Sequence, residues 1–306
     1  MTTATLTKGA AETLERDARG RIRLTAASER NISVQLTLFV LAALTVVTFA
    51  RMGYGTVDLI QAARQALADF GAMMLQPALD PPLGASHFTW ATVLESAVIT
   101  VAVTAICTVL SAIVSFFLAL AASANLSNPA VSNAVKGFVA IIRSIPTILW
   151  VLVFTVAIGL GSEAAVLGIS FHSVAYLVKS YSESFEEIDG GVIEALRASG
   201  ASFWQVVFQA ITPATITKLL SWTFIRLEIN FTNAVAVGAF AGAGGIGFQL
   251  YQAGSRYYNL HEVGVIVYVC LIVAFVLEFV SVRLRKKYIL SRIVAMSFCE
   301  PRSCCL

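Results

Sequence analysis

A chain of 306 residues that is 58% hydrophobic, 13% charged and +0.80 in mean hydropathy holds more apolar surface than a soluble fold of its length hides, soluble proteins being about one quarter charged. Its net charge of +3 is too small to suggest nucleic acid as a partner. The five cysteines, Cys107, Cys270, Cys299, Cys304 and Cys305, show no metal spacing, and the first two lie in apolar runs where a thiol is a small packing residue.

Residues 1–31 form a polar arm that mixes Lys8, Arg16, Arg19, Arg21, Arg23 and Arg30 with Glu12, Glu15, Asp17 and Glu29. The apolar run from Ile32 to about Ala50 begins too far in for a cleavable signal sequence and is expected to be a retained first span. Residues 51–92 mix charges with Gly84 and the prolines Pro77, Pro81 and Pro82. A second span is predicted from about Val93 to Ala122, and a third from Pro146 to about Leu160. The fourth, about Ala164 to Tyr181, is weaker because it holds His172 and Lys179. The fifth covers about Thr215 to Gly238 and the sixth about Val263 to Val282, before a basic end that holds six Lys and Arg residues after Val282 and closes in a C-terminal tail over 288–306. The expectation is an all-α integral membrane protein of about six transmembrane helices, because each run approaches the roughly 20 apolar residues that cross a bilayer.

With the amino terminus inside, most of the 21 Lys and Arg residues fall on the cytoplasmic side: the six of the arm, Lys136, Arg143, Lys179, Arg197, Lys218 and the tail. Only Arg51, Arg64 and Arg256 fall outside. Both termini are therefore expected in the cytoplasm.

The segment 183–213, between the fourth and fifth spans, reads as two short cytoplasmic helices. Asp189 with Gly190 and Gly191 opens the first, Gly200 ends it in the left-handed conformation, and Ser202 with Gln205 forms a capping box for the second, which is expected to stop before Pro213. Val192, Ile193, Leu196, Phe203, Val206 and Val207 make this elbow apolar. Such a face either seeks a groove on a partner or packs beneath its own bundle.

Here the sequence resembles the EAA loop of binding-protein-dependent ABC importer permeases, whose pattern is E-A-A, three residues, G, nine residues, I-x-L-P. Glu194, Ala195, Gly200 and Pro213 match, while Leu196, Ala210 and Thr212 depart in apolar positions without changing the spacing. The resemblance extends over about Val93 to Lys287. It is strongest to phosphonate importer permeases, through Arg143-Ser144-Ile145-Pro146, the stretch from Leu177-Val178-Lys179 to Glu186-Glu187-Ile188-Asp189, Arg226-Leu227-Glu228-Ile229-Asn230, and the glycine run from Gly242 with Gln249-Leu250-Tyr251. Methionine permeases share the glycine run and the Arg-Ser-Ile-Pro segment.

The resemblance implies a type I importer permease domain over 93–287, preceded by an added helix and periplasmic segment over 32–92, in a bacterial inner membrane. Glu194, Ala195, Gly200 and Pro213 would couple it to ATPases. The partners implied are two cytoplasmic ABC ATPase subunits, a second permease subunit, identical or paralogous, a periplasmic or lipid-anchored solute-binding protein, and membrane lipid. No Walker A pattern occurs in the chain, so ATP is expected on the partner ATPase and no cofactor or enzymatic activity on this subunit. The alternatives are a permease for another small solute such as methionine, an ion-coupled secondary transporter, whose internal repeat is not evident here, or a nontransporting scaffold.

Two further features carry chemistry. Gly242, Gly244 and Gly247 match the dinucleotide fingerprint, but they follow a predicted span rather than a strand, so close helix packing or a gate is the better reading. Arg226, Asn230 and Asn233 share one helical face, which either borders the translocation path, where a guanidinium suits an oxyanion, or ties spans together. Glu228 points elsewhere and is expected to pair with Lys179 or His172 in an intramembrane polar cluster.

Overall fold

A computed structural model of the chain describes residues 14–16, 22–24, 29–51, 58–79 and 88–297. Two compact units divide it, residues 1–67 and 68–306. In the first, β1 (Leu14–Arg16) pairs antiparallel with β2 (Ile22–Leu24), so part of the polar arm is a small hairpin. The helix α1 (Glu29–Arg51) coincides with the expected first span. The helix α2 (Leu59–Leu75), unforeseen in the mixed-charge segment, runs from the end of the first unit into the second. The cysteines Cys299, Cys304 and Cys305 lie outside the described residues.

The second unit is a helical bundle. Its α3 (Trp90–Ala122) has 33 residues, about 50 Å at 1.5 Å per residue, ample for a tilted crossing of a core about 30 Å thick. The expected third span is corrected. An amphipathic helix α4 (Pro129–Ser144) meets α5 (Thr147–Ile158) at an 89° bend. Ile145 precedes Pro146, whose ring disfavours the helical region for its neighbour, and takes φ −99° and ψ 126°. The 12 residues of α5 reach only about 18 Å, too little to cross alone.

The central element is α6 (Ser162–Glu186), packed against α3, α5 and the later α9 (Thr212–Ala241). Cys107, Ser111 and Ser115, four residues apart on α3, donate to the carbonyls of Val166, Ser170 and Val174 on α6 at 3.7, 3.2 and 3.1 Å. Small polar residues thus let two backbones approach and supply the hydrogen bonds that lipid does not. Gly168 serves the same close approach to α5, since a Cβ there would lie 2.5 Å from the Val151 Cα.

Among the described residues, three helices are each long and apolar enough to cross a membrane: α1 over Ser33–Arg51, α3, and α11 (Leu260–Ser297) over Leu260–Lys286. The number rises to five if each of two bent helix pairs is one span. The expected fourth span corresponds to α6, which His172, Lys179 and its many serines make less apolar than the others. Its neighbours shield it instead, with Leu177, Val178 and Phe185 at most 1% exposed.

After α6 the chain forms α7 (Gly190–Ala198) and α8 (Phe203–Val206), then a π-helical turn, Val207–Ile211, that leads directly into α9. The second elbow helix therefore does not stop before Pro213 as expected. Proline lacks an N–H and clashes with the carbonyl four residues back, and the π turn shifts the hydrogen-bond register just ahead of it, with the Thr212 N–H donating to the Val207 carbonyl. Pro213 then sits in the first turn of α9, where its missing donor costs little.

At the other end of α9, Gly242 at φ +61°, Gly244 at φ +69° and Gly245 at φ +73° turn the chain back into α10 (Gly245–Tyr251), followed by a second π turn, Gln252–Arg256. The glycine run thus makes a tight helical hairpin, stitched to α3 by the Ile246 N–H donating to Thr100 Oγ1 at 2.9 Å.

Candidate functional site

The elbow is locally encoded. Asp189 Oδ1 accepts from the Gly191 N–H at 3.0 Å and caps α7. At its far end the Gly200 N–H donates to the Arg197 carbonyl and the Ala201 N–H to the Leu196 carbonyl, both at 3.0 Å, with Gly200 at φ +86°. This is a Schellman turn, which orders the last carbonyls of the helix and requires the left-handed residue to lack a Cβ. The Ser202 N–H then donates to Gln205 Oε1 at 2.7 Å, which opens α8.

The structure divides the apolar list of the elbow between the two readings left open by sequence. Ile193, Val206 and Val207 are at most 2% exposed and join a core cluster with Ala119, Leu177 and Phe185, against which Leu196 and Ala201 also pack. Val192 and Phe203 face outward at 48% and 43% exposure. Trp204 and Phe208, which sequence reasoning passed over, stack on one another with centroids 5.8 Å apart and extend the outward patch. Their spacing of four on a helix was the available signal. Glu194, Ala195, Gly200 and Pro213 are all exposed on the same segment.

Polar ties fix the base of the elbow. Glu186 Oε1 accepts from Lys136 Nζ and from the Ala124 N–H, each at 2.7 Å, and Asn125 Nδ2 donates to the Phe185 carbonyl at 2.8 Å. Burial pushes the Glu186 carboxyl up, but its hydrogen bonds from Lys136 and Ala124 outweigh this and hold it below its ordinary value. Glu187 pairs with Lys218 of α9.

Deeper in the bundle, Arg226 of α9 is 1% exposed and Asn230 is fully buried. Arg226 Nε donates to Ser173 Oγ and its Nη2 to His172 Nδ1, both at 3.0 Å, while the guanidinium lies 5.0 Å from the Tyr176 ring centroid. A guanidinium only donates, so His172 Nδ1 accepts and the imidazole proton resides on Nε2. Thr147 Oγ1 lies 3.0 Å from the same Nδ1. Asn230 accepts from Ser173 Oγ at 2.7 Å and donates to Thr108 Oγ1 at 3.0 Å. The network therefore joins α3, α5, α6 and α9. Asn233, one turn further along, is half-buried.

The expected trio of His172, Lys179 and Glu228 does not assemble. His172 belongs to the Arg226 network, Lys179 pairs with Glu183 at 3.5 Å one turn along its own helix, and Glu228 faces Arg285 of α11 at 3.6 Å. Two residues on a helix are separated by about 200°, so Arg226 directed at α6 turns Glu228 toward α11. Arg285 was read only as one of the basic residues after the sixth span, and nothing in its spacing marked it as a partner.

Comparison with known proteins gives a consistent result. The family model described as binding-protein-dependent transport system inner membrane component matches residues 114–289. The phosphite transport system permease protein PtxC of Stutzerimonas stutzeri is 31% identical over 209 residues, 68% of this chain and 74% of that one. The phosphate-import permease protein PhnE of Mycolicibacterium smegmatis is 28% identical over 217 residues, 71% of this chain, which spans only 39% of that relative's length. Among solved structures, an inward-facing MetNI methionine ABC transporter superposes with a TM-score of 0.58 at 23% identity, over 64% of this chain and 96% of that one. That likeness concerns the fold.

Proposed function

Because the chain belongs to the binding-protein-dependent transport system inner membrane component family, and is therefore a membrane-embedded transport subunit of an ABC importer rather than an enzyme, we propose that it carries a phosphorus oxyanion such as phosphonate or phosphite across the inner membrane, driven by separate ATPases at the elbow. The observation that carries this reading is the two-faced elbow. Its inner residues, Ile193, Val206 and Val207, belong to the bundle core, while Val192, Phe203, Trp204 and Phe208 present an unpaired apolar surface. An aromatic patch of this kind on a capped, rigid helix pair suits a cleft on a cytoplasmic partner. Glu194, Ala195, Gly200 and Pro213 are the coupling residues in this reading. Two ATPases, a second permease subunit and a solute-binding protein complete the importer, and both termini face the cytoplasm.

The oxyanion assignment rests on the relatives named for phosphite and phosphate import. Arg226 and Asn230 act in this reading as an internal tie, because their polar atoms are spent on Ser173, His172 and Thr108.

Affinity purification of the tagged chain from its native host tests the coupling. An ATPase is expected to copurify with wild type, and Trp204→Glu with Phe208→Glu should weaken its retention by at least about 30-fold, the loss of a typical hot spot. Uptake that follows an ion gradient with no ATPase attached would reject the importer mechanism, and stimulation of ATP hydrolysis by methionine but not methylphosphonate would reject the substrate class.

A further inference from the structure

A cavity of about 330 Å³ lies between α3, α4 and α6, and none of the outward elbow residues or of Arg226, His172 and Asn230 lines it. Its rim carries Lys136, Arg143 and Lys179 together with Glu183 and Glu186, and its floor includes Val139 and Val178. Two of the three cations are already matched, Lys136 with Glu186 at 2.7 Å and Lys179 with Glu183 at 3.5 Å. Among the described residues Arg143 has no carboxylate within ion-pair distance, and its recorded contact is the Tyr176 ring. The cavity therefore holds one uncompensated guanidinium above an apolar floor.

Its depth specifies the environment. The predicted fourth span ends near Tyr181, so rim residues from Lys179 to Glu186 straddle the edge of the hydrocarbon layer. The helix α4 has the matching two-sided character. Val131, Phe138 and Ile141 are 47%, 60% and 64% exposed along one side, while Lys136 and Arg143, seven residues apart, share another. An amphipathic helix with an apolar outer row and a basic inner row lies at the bilayer interface, and basic pockets between helices at that level take phosphate headgroups.

We infer that this cavity binds the phosphate group of an anionic phospholipid, with Arg143 as its principal donor and the Val139 and Val178 floor against the glycerol end of the acyl chains. A single net positive charge matches a phosphodiester carrying one negative charge, and the apolar floor has a use for a lipid that it lacks for a free anion. The inference rests on the orientation proposed above and is independent of the ATPase and of the transported solute. The side on which an introduced Ser199→Cys is labelled by an impermeant reagent, with the tail cysteines replaced, checks that orientation separately.

Thermal unfolding of the full chain in detergent, titrated in parallel with phosphatidylglycerol, phosphatidylcholine and inorganic phosphate, tests the site. Phosphatidylglycerol is expected to raise the wild-type midpoint saturably and phosphatidylcholine to leave it unchanged. Arg143→Gln should raise the half-saturating phosphatidylglycerol concentration about fivefold, the value of one basic side chain at a membrane surface. Ala140→Phe, at an exposed position on the cavity wall, should do the same by filling the space, and it decides the matter if Arg143→Gln fails to fold. Arg283→Gln, an exposed cation outside the cavity, should respond like wild type. An equal phosphatidylglycerol response in all variants would overturn the proposal in favour of nonspecific lipid. Protection by inorganic phosphate that Arg143→Gln abolishes would overturn the lipid assignment in favour of a free oxyanion.

Discussion

A methyl group at position 247 would lie 1.8 Å from the Val235 carbonyl oxygen, so the α9–α10 hairpin closes only around a residue with no side chain. Gly247→Ala is expected to destabilise the fold by about 1 to 3 kcal/mol, the usual cost of overpacking, read as a lowered unfolding midpoint in detergent. Arg226 tests a different kind of constraint. His172→Ala removes the acceptor at Nδ1 and leaves a buried guanidinium N–H without it, which should cost about 1 to 3 kcal/mol of stability. If the network is a tie, Arg226→Lys will lower thermal stability while leaving the ratio of phosphite to sulfate uptake unaltered. A changed ratio with intact stability would return Arg226 to the translocation path. Sequence alone put Arg226 and Asn230 on one helical face, because a 3.6-residue period is local information. It did not reveal their partners, since Ser173, His172 and Thr108 lie 53, 54 and 122 residues from the atoms they meet.

At the level of elements, legibility followed the same division. Asp189, Gly200 and Ser202 marked both ends of α7 and the start of α8 correctly, because capping chemistry acts over two to five residues. The right-angle bend at Ile145 and Pro146 was only half legible: the proline announced a helix start but not that α4 would turn aside. The π turn before Pro213 left no signal at all. The junction where α6 meets the elbow has a pH dependence of definite sign. The folded Glu186 pKa lies below its unfolded value, so its stabilising contribution is fully present above the unfolded pKa and disappears as pH falls through the folded one. Wild type should therefore hold a constant stability advantage over Glu186→Gln from neutrality down to about pH 5, shrinking below that. An advantage that instead declines as the pH is raised from neutrality would contradict the assignment of Lys136 and Ala124 as its stabilising partners.

For the molecule as a whole, the arrangement of outward and inward apolar faces sets how motion passes through it. Trp204 and Phe208 face the cytoplasm in the proposed orientation, the network of Arg226 and Asn230 anchors the middle of α9 to three other helices, and the glycine turn lies at the opposite end. Gly244, at φ +69° and ψ −153°, occupies backbone space that other residues avoid. Gly244→Ala is expected to reduce uptake severalfold while the ATPase still copurifies, because the strain falls far from the docking patch. Loss of ATPase retention in that variant would mean that the two ends are not separable. The uninterrupted helical path from Phe203 to Phe240 is about 57 Å of rod at 1.5 Å per residue. In the proposed coupling, a rod driven through the π turn at one end, with a pivot near its middle and a swivel at its far end, would act as a lever. A small tilt imposed on Trp204 would reappear, reversed in direction, at the outer mouth of the bundle.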